Sequence, residues 1–247
     1  EKAGIIRNNG TLCLGEVNDE LVKVFIDEDP RKIYRSGQDY SLLSNELAVG
    51  GRHLSIITPS QTYEDIYLPL HGAHQGLNAA IALSAAEAFL GKALPDDVVK
   101  SGFGNVTIIG RFEVLGSNPL VIVDGAHNPP GAEAAAQTLK KNFPVEGKSI
   151  LIVGMTEEKK AEWMLECLQA DEAAVVICTE AATPRAMPAG ELAEAAKEIS
   201  TNVEVRTSPE EALNLALTIA EETDVVFGTG SLYVVGALRD AYMAKKT

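Results

Sequence analysis

Hydrophobic residues in the second half of the chain fall into short continuous runs that alternate with longer, helix-like stretches. The runs predict strands at 120–123, 149–153, 174–178, 203–206 and 224–228. The stretches after them predict helices at 131–142, 159–169, 189–199, 209–222 and 232–244. Strands that alternate with helices of roughly 10–15 residues are typical of βαβ units. We therefore expect an α/β fold here, with a parallel sheet, flanking helices and right-handed crossovers.

The first half of the chain begins with a different pattern, in which several strand-like runs follow one another. Thr11-Leu12-Cys13-Leu14 predicts a short strand. Residues 18–27 predict a helix that Asn18 caps, although their apolar residues also suit a strand. Strand-like runs then succeed one another from 32 to 69, where Tyr34 stands in the first of them. Gly50-Gly51 between two of the runs is a hairpin signal, so this region predicts a small antiparallel sheet.

Two helices complete the first half of the chain. One is predicted over 73–90, where apolar residues recur at helical spacing, and a shorter one begins at Pro95 and ends near Gly102. The glycine-punctuated connection 103–111 follows. We place a domain boundary there, which gives domains of 1–108 and 109–247.

Three loops follow strands of the predicted parallel sheet: 124–130, 154–158 and 228–231. In open α/β sheets ligands bind at the edge formed by the carboxyl ends of the strands. We expect the three loops to open onto that edge, and Thr183-Pro184-Arg185 to join them. The glycines of 228–231 suit a carboxylate or phosphate held by backbone amides, although the third glycine of a dinucleotide fingerprint is missing.

The first of these loops carries the most polar side chains. Asp124, His127 and Asn128 stand between the apolar strand 120–123 and a helix start marked by Pro129-Pro130. Helix N-termini attract anions, so these residues are candidates for binding one. A tight strand-to-helix turn with an aspartate cap explains the same residues without a ligand, and both interpretations stay open.

The composition indicates which kinds of binding partner and which cellular compartment to expect. The net charge of the 247 residues is −14, which argues against nucleic acid and anionic membrane surfaces but not against a nucleotide. Cys13, Cys167 and Cys178 lack the spacing of a disulfide framework or a zinc site. With no signal peptide and no apolar span of about 18 residues, we expect a cytoplasmic protein. The chain opens without Met, so we expect it to be cut from a longer protein.

Two further patterns resemble known sites but lack parts of them. His71 and His74 are of the residue type that binds metals, yet no third ligand is nearby in the sequence. Gly147-Lys148-Ser149 resembles the end of a phosphate loop, but Asn142 stands where its first glycine belongs and the segment precedes a strand. We reject the phosphate loop and consider the metal site the weaker interpretation.

Three motifs occur in order along the chain: EKAGII at 1–6, HGAHQGLNAA at 71–80, and GRFE at 110–113 with DGAHNP at 124–129. Together they resemble folylpolyglutamate synthase of the Mur ligase superfamily, which in bacteria is often bifunctional with dihydrofolate synthase. The resemblance implies a two-domain, ATP-dependent ligase. Residues 1–108 would be the C-terminal part of its ATPase domain, and 109–247 its Rossmann-like domain, which helps to bind glutamate.

The sequence departs from the family pattern in one large respect. The phosphate loop of the family and most of its ATPase domain do not occur in these residues. We therefore expect the phosphate loop upstream of Glu1, and we expect the chain alone to be inactive.

The resemblance implies that four residues bind ATP and Mg²⁺. Lys2 is similar to a lysine that the family carbamylates, and a carbamate offers the oxygen ligands that Mg²⁺ prefers. Asn78 resembles the residue that contacts adenine, and Asp124 the acid that holds the ribose or adjacent groups. Arg111 resembles the arginine on the ATP phosphates, which a guanidinium contacts with two prongs. An ion pair of Arg111 with Glu113, or with an acid on the opposite face, is the alternative that needs no ligand.

The same resemblance assigns residues to the reaction itself. His127, with Arg111, is implicated at the reaction centre, and Ser231 is assigned to the glutamate side. The implied reaction phosphorylates the terminal γ-carboxylate of a folate with ATP, after which the amine of L-glutamate displaces phosphate. Dihydrofolate synthesis from dihydropteroate is a second implied activity. Such chemistry depends mainly on positioning and charge neutralisation.

The expected partners are folate and L-glutamate, with no nucleic acid and no membrane, and we expect a monomer. Two alternatives remain open. One is a non-catalytic, Rossmann-type binding module, and the other is a Mur-type peptide ligase that acts on a cell-wall precursor. The motif at 71–80 and the opening EKAGI favour the folate enzyme over the peptide ligase.

Overall fold

The structure, a computed structural model, describes residues 2–7, 9–144, 146–157, 160–180 and 182–246. The chain divides into two compact units, residues 1–107 and 108–247, and each is described by itself. Within the described ranges, no helix combines the length and the apolar character that crossing a membrane requires.

The first unit begins with two strands that pair in parallel. β1 (Thr11–Leu14) lies beside β2 (Lys32–Arg35), and α1 (Asp19–Ile26) connects them. Asn18 caps α1 as predicted, because its side-chain oxygen accepts a hydrogen bond from Leu21 N at 2.9 Å.

The prediction that Tyr34 belongs to the antiparallel sheet is wrong. Tyr34 lies in β2, opposite Cys13 of β1 in the parallel pair. A parallel neighbour comes from across a crossover and not from an adjacent turn, so no local turn signal marks this pairing.

The remaining strands of the first unit form the predicted small antiparallel sheet. Its order is β3 (Ser41–Ala48), β4 (Gly51–Ile57) and β5 (Thr62–Leu68). Gly50 turns the chain between β3 and β4 with a φ of 73°, in the left-handed region that favours glycine. The Gly50-Gly51 hairpin is therefore confirmed.

Two helices cover this sheet. α2 (Ala73–Leu90) has the predicted bounds and packs on β3 and β4, and α3 (Asp96–Gly104) packs on β5. Fully buried Leu54 and Ile66 of the sheet share one core with Leu83 of α2. Gly91 ends α2 in a left-handed C-cap with a φ of 69°.

The second unit contains a six-stranded sheet in the order β10-β9-β8-β11-β7-β6. Its strands are β6 (Glu113–Ser117), β7 (Leu120–Val123), β8 (Ser149–Val153), β9 (Val175–Cys178), β10 (Val203–Val205) and β11 (Val225–Thr229). Every neighbouring pair is parallel except β6 with β7, which is antiparallel. The predicted α/β fold with a mostly parallel sheet is confirmed.

Helices cover both faces of this sheet and create two cores. They are α4 (Pro129–Asn142), α5 (Ala161–Cys167), α6 (Ala189–Lys197), α7 (Pro209–Ile219) and α8 (Leu232–Ala244). Side chains alternate between the faces, so Phe227 of β11 packs in one core and its neighbour Val226 in the other. Strands buried on both faces read as continuous apolar runs, which is why the sequence identifies them.

β6 is a strand of this sheet that the apolar pattern does not predict. It lies at the sheet edge, where Leu115 is 3% exposed but its neighbour Val114 is 43% exposed. An edge strand with one open face lacks the continuous apolar run of its neighbours. The helix predicted over 159–169 spans Ala161–Cys167, and Glu158 and Lys159 lie outside the described residues.

Candidate functional site

The loops that follow β7, β8 and β11 meet at one edge of the sheet, as predicted. Asp124 N donates to Gly228 O at 3.0 Å, and Gly230 N donates to Ala126 O at 3.1 Å. On the other side of β11, Gly154 N donates to Thr229 O at 3.3 Å. Because these bonds continue the ladder past the strand ends, the three loops are fixed to one another by backbone.

The segment 183–187 joins this edge, which confirms the expectation for Thr183-Pro184-Arg185. Glu157 N donates to Arg185 O at 3.0 Å, and Met187 N donates to Met155 O at 2.9 Å. The guanidinium of Arg185 also donates from Nη2 to the hydroxyl of Tyr233 on α8, at 3.4 Å. The segment therefore places an exposed cation beside the start of α8.

The backbone around Arg111 is held on both sides by the loop after β7. Gly125 N donates to Gly110 O at 2.8 Å, and Phe112 N donates to the Asp124 carboxylate at 3.0 Å. Gly110 and Phe112 both have positive φ, 70° and 46°. Phe112 is not a glycine, so the surrounding contacts must hold its strained backbone. The base of the Arg111 side chain is thus fixed in place before any ligand binds.

Arg111 does not pair with Glu113, so that part of the alternative without a ligand is wrong. Glu113 instead accepts a hydrogen bond from Arg239 Nε of α8 at 2.8 Å and one from Gly110 N at 2.9 Å. Both carboxylate oxygens of Glu113 are therefore already engaged. Among the residues that the structure describes, Arg111 has no ion-pair partner, and its side chain is half-buried.

Asp124 is 6% exposed at the end of β7 and organises this edge. Its Oδ2 accepts the bond from Phe112 N, and its Oδ1 accepts one from Ala126 N at 2.9 Å. Asp124 therefore stabilises the turn after β7, as the alternative without a ligand supposed, but the residue that caps α4 is Asn128 and not Asp124. Each carboxylate oxygen has two lone pairs, so these bonds do not by themselves prevent a ligand hydroxyl from binding.

His127 follows in the same loop, with its ring partly exposed. Its Nδ1 lies 2.8 Å from Gly125 O. A carbonyl oxygen only accepts, so Nδ1 carries the proton and the neutral ring has its lone pair on Nε2. The contact fixes the tautomer and leaves Nε2 able to accept a proton.

The N-terminus of α4 is not the anion site that the sequence suggested. α4 begins at Pro129, two residues before the predicted start, and neither Pro129 nor Pro130 has an N–H. The next two amides are engaged: Gly131 N donates to Asn128 Oδ1 at 2.8 Å, and Ala132 N to Asn128 O at 2.9 Å. None of the first four positions of α4 offers an N–H to a ligand, so this helix end contributes no backbone donor to an anion.

Ser231 is the N-cap of α8 and is 5% exposed. Its Oγ accepts a hydrogen bond from Tyr233 N at 3.3 Å. Gly230 before it has a φ of 101°, and a Cβ there would crowd Gly154 O at 2.6 Å. The close approach of the two loops therefore requires glycine at this position and sets the direction in which Ser231 enters the helix.

The remaining candidates lie in the first unit. Asn78 is exposed in the second turn of α2, where its Nδ2 donates to Gln75 Oε1 at 3.1 Å. Lys2 is exposed in a short 3-10 turn, Lys2–Ile5, and Glu1 of the same motif lies outside the described residues. Burial and the nearby charge of Arg52 lower the pKa of His71.

No set of three metal-binding side chains comes together in the described ranges, which counts against His71 and His74 as ligands. Lys2 alone is too few donors for Mg²⁺, which takes six oxygens. The described residues therefore do not form a magnesium site by themselves.

Comparisons with known proteins fit this geometry. Residues 110–232, from the position before Arg111 to the position after Ser231, match the family described as "Mur ligase, glutamate ligase domain". Dihydrofolate synthase/folylpolyglutamate synthase from Mycobacterium tuberculosis is 33% identical over 98% of this chain and 55% of its own length. The chain belongs to the folylpolyglutamate synthase family.

Solved structures of the folylpolyglutamate synthase family share the fold. The crystal structure of M. tuberculosis folylpolyglutamate synthase complexed with ADP and AMPPCP has a TM-score of 0.90 and 32% identity, covering 98% of this chain and 58% of that one. E. coli FolC in complex with DHPP and ADP has a TM-score of 0.85 and 25% identity, covering 100% and 56%. The chain thus spans a little over half the length of these family members.

Two contacts in this chain were not predicted from the sequence. Arg239 on α8 forms an ion pair with Glu113, so this carboxylate is not paired with Arg111. Tyr233 receives the guanidinium of Arg185. Helical spacing from Ser231 places Tyr233 in the first turn of α8, which was the available signal; nothing local connects Glu113 with a residue so far along the chain.

Proposed function

We propose that the chain is part of an ATP-dependent ligase that adds L-glutamate to the γ-carboxylate of a folate through an acyl phosphate. Its family membership supports this, since the relatives named above are folylpolyglutamate and dihydrofolate synthases and were solved with ADP and AMPPCP or with DHPP. Synthesis of dihydrofolate from dihydropteroate is a second activity that the same site would catalyse. The peptide ligase and the non-catalytic module find no support among these relatives.

The observation that carries the proposal is the state of Arg111. Arg111 is partly buried, has no carboxylate partner among the described residues, and stands on a backbone fixed from both sides. Glu113 is the nearest acidic residue along the chain, but its carboxylate is already paired with Arg239. Arg111 is therefore kept ready for an anion, and a phosphate accepts its two-pronged hydrogen bonds.

The other residues have roles that their contacts allow. The carboxylate of Asp124 would accept a ribose hydroxyl, and the amide of Asn78 would contact the adenine. Nε2 of His127 would take the proton that the glutamate amine loses as its C–N bond forms and phosphate leaves. Ser231 would hold the glutamate, with Arg185 as a nearby cation for a carboxylate.

ATP would be used with Mg²⁺, as the family resemblance implies, with Lys2 in its carbamylated form as one ligand. A bound Mg²⁺ would neutralise phosphate charge, although the described residues do not form its site by themselves. We propose that residues 1–108 belong to the ATPase domain of such a ligase and 109–247 to its glutamate ligase domain. We also propose that the enzyme is a monomer of the cytoplasm; free Cys13, Cys167 and Cys178 suit a reducing compartment.

The test uses a polypeptide of the relatives' length that contains this sequence, called the complete enzyme below. We expect it to release ADP only when a folate and L-glutamate are both present, with one glutamate added to folate per ADP. ADP release that ignores the folate, or that requires a cell-wall precursor instead, would overturn the proposal. Mass spectrometry of the folate product distinguishes these results.

A further inference from the structure

The first unit contains a cavity that the proposed reaction does not use. It has a volume of about 290 Å³ and lies where the β1–β2 pair, the turn after β4 and the C-terminal end of α2 meet. Helices rise about 1.5 Å per residue, so the residues of α2 and its C-cap in the cavity wall, from Ser84 to Gly91, lie roughly 9–20 Å along the helix from Asn78, which is not in the wall. The cavity is therefore separate from the candidate adenine contact.

Two buried polar side chains in the cavity wall have unfulfilled hydrogen-bonding groups. Ser84 is 1% exposed and Glu87 is 4% exposed, and they lie three residues apart on one face of α2. Ser84 Oγ and Glu87 Oε2 have no hydrogen-bond partner among the described residues. A buried polar atom without a partner costs roughly 1–3 kcal/mol, so an absent partner is indicated at both positions.

The other oxygen of Glu87 shows that this carboxylate is held in place. Its Oε1 accepts a short hydrogen bond from the hydroxyl of Tyr63, which also receives Leu94 N at 2.9 Å. Burial and the bond to Glu87 raise the pKa of Tyr63, so the phenol stays protonated and remains a donor. Glu87 is therefore fixed as an acceptor whose second oxygen lacks a donor.

The mouth of the same cavity carries the opposite charge. Arg31, Lys32 and Lys92 line it, and in the part of the chain that the structure describes none of them has an ion pair with a carboxylate. Lys32 lies instead over the ring of Tyr34, with its Nζ 4.4 Å from the ring centroid. Three unpaired cations around one opening are unexpected in a chain with a net charge of −14.

We propose that this cavity binds a small zwitterion that carries one ammonium and one carboxylate, as free amino acids do. The ammonium donates to Glu87 and Ser84, next to the C-terminal end of α2, where the helix dipole is negative. The carboxylate faces Arg31, Lys32 and Lys92. A ligand with both charges satisfies the buried acceptor and the outer cations together, which neither a simple anion nor a simple amine does.

Isothermal titration of the 247-residue chain tests this with four probes. Glycine and 4-aminobutyrate carry both charges at different spacings, while acetate and methylamine each lack one. None of the four probes is a substrate of the proposed ligase, so the result does not depend on that proposal. We expect saturable binding of at least one zwitterion near a Kd of about 1 mM, and at least ~10-fold weaker binding of acetate and methylamine. Absence of zwitterion binding up to about 20 mM, or equal binding of acetate or methylamine, overturns the proposal.

Variants locate the site. Glu87→Gln keeps an acceptor for Tyr63 but removes the charge, and should weaken binding of the zwitterion at least ~10-fold. Arg31→Gln with Lys92→Gln changes only exposed side chains and should have a similar effect, whereas Lys23→Gln on α1 is the matched control and should have none. Circular dichroism checks the fold. Unchanged affinity in the folded Arg31/Lys92 variant overturns the site even if Glu87→Gln does not fold.

Ser84→Ala separates binding from structure. The hydroxyl has no partner in the described structure, so its loss should leave the free energy of unfolding unchanged or slightly higher. Affinity for the zwitterion should fall by a factor of about 3–10, the worth of one hydrogen bond. Unchanged affinity in this variant would contradict the direct role of Ser84.

Discussion

Asp124→Asn tests whether the Asp124 carboxylate holds the backbone of Arg111 in place. The carboxylate accepts Phe112 N and Ala126 N, one on each oxygen, in a site that is 6% exposed. An asparagine retains one acceptor and turns an NH₂ group toward the other N–H. One charge-assisted hydrogen bond is lost and a buried donor is left unpaired, which together cost about 2–3 kcal/mol.

The measurement exploits the position of the tryptophan. Trp163 is the sole tryptophan of the sequence and lies on α5, so its fluorescence reports on the second unit. For a unit of this size, a loss of 2–3 kcal/mol should lower the urea midpoint by roughly 1–1.5 M. The matched control is Asp240→Asn on the exposed side of α8, which should shift the midpoint by less than about 0.3 M.

A midpoint for Asp124→Asn that equals the wild-type value would refute the reasoning. It would mean that the bonds to Phe112 and Ala126 contribute no net stability, and that the positive φ of Phe112 is held by other contacts. Arg111→Ala provides the complementary comparison. Its side chain has no ion pair in the described residues, so we expect its free energy of unfolding to stay within about 0.5 kcal/mol of wild type.

Three further predictions concern the second unit. Backbone hydrogen bonds lower the pKa of Asp224, so the stability contributed by its charge should be complete above about pH 4 and lost as pH falls through that lowered pKa; Asp224→Asn should lower the urea midpoint at pH 7, and by less as the pH falls below about 4. A Cβ at Gly154 would meet Thr179 O and Val234, so Gly154→Ala should cost about 1–3 kcal/mol in urea unfolding, whereas Gly190→Ala, with open space around it, should cost nothing. Burial raises the pKa of Cys178 to about 12, so a thiol reagent should label it only on unfolding, and fast labelling in the native state would contradict this.

Most of the second unit is readable from sequence because its inner strands are buried on both faces. Such strands leave continuous apolar runs, and strand ends follow from them within a residue or two. β6 was not predicted because, as an edge strand, it alternates between buried Leu115 and exposed Val114 and has no continuous apolar run. The parallel pairing of β1 with β2 was not predicted for a different reason: the two strands are separated by a helix, so no local turn signal marks them as neighbours.

The candidate site was predictable in its residues but not in its pairings. Asp124, His127 and Ser231 stand at strand ends, where loops of a parallel sheet converge, so sequence alone brings them together. The partner of Glu113 could not be found this way, because Arg239 reaches it through the packing of α8 on β6. At the N-terminus of α4 the sequence predicted an anion site that is absent there. Its two prolines lack an N–H, and Asn128 accepts hydrogen bonds from the next amides, so the usual free N–H donors of a helix start are missing.

The central claim is that Arg111 is reserved for the phosphates of ATP, and single-turnover kinetics of Arg111→Ala in the complete enzyme test it most directly. We expect the rate of folate- and glutamate-dependent ADP formation to fall by about 100- to 1,000-fold with an unchanged urea midpoint. Arg111→Lys should recover only part of the rate, because an ammonium lacks the two-pronged contact. Near-normal turnover of the alanine variant would contradict the account.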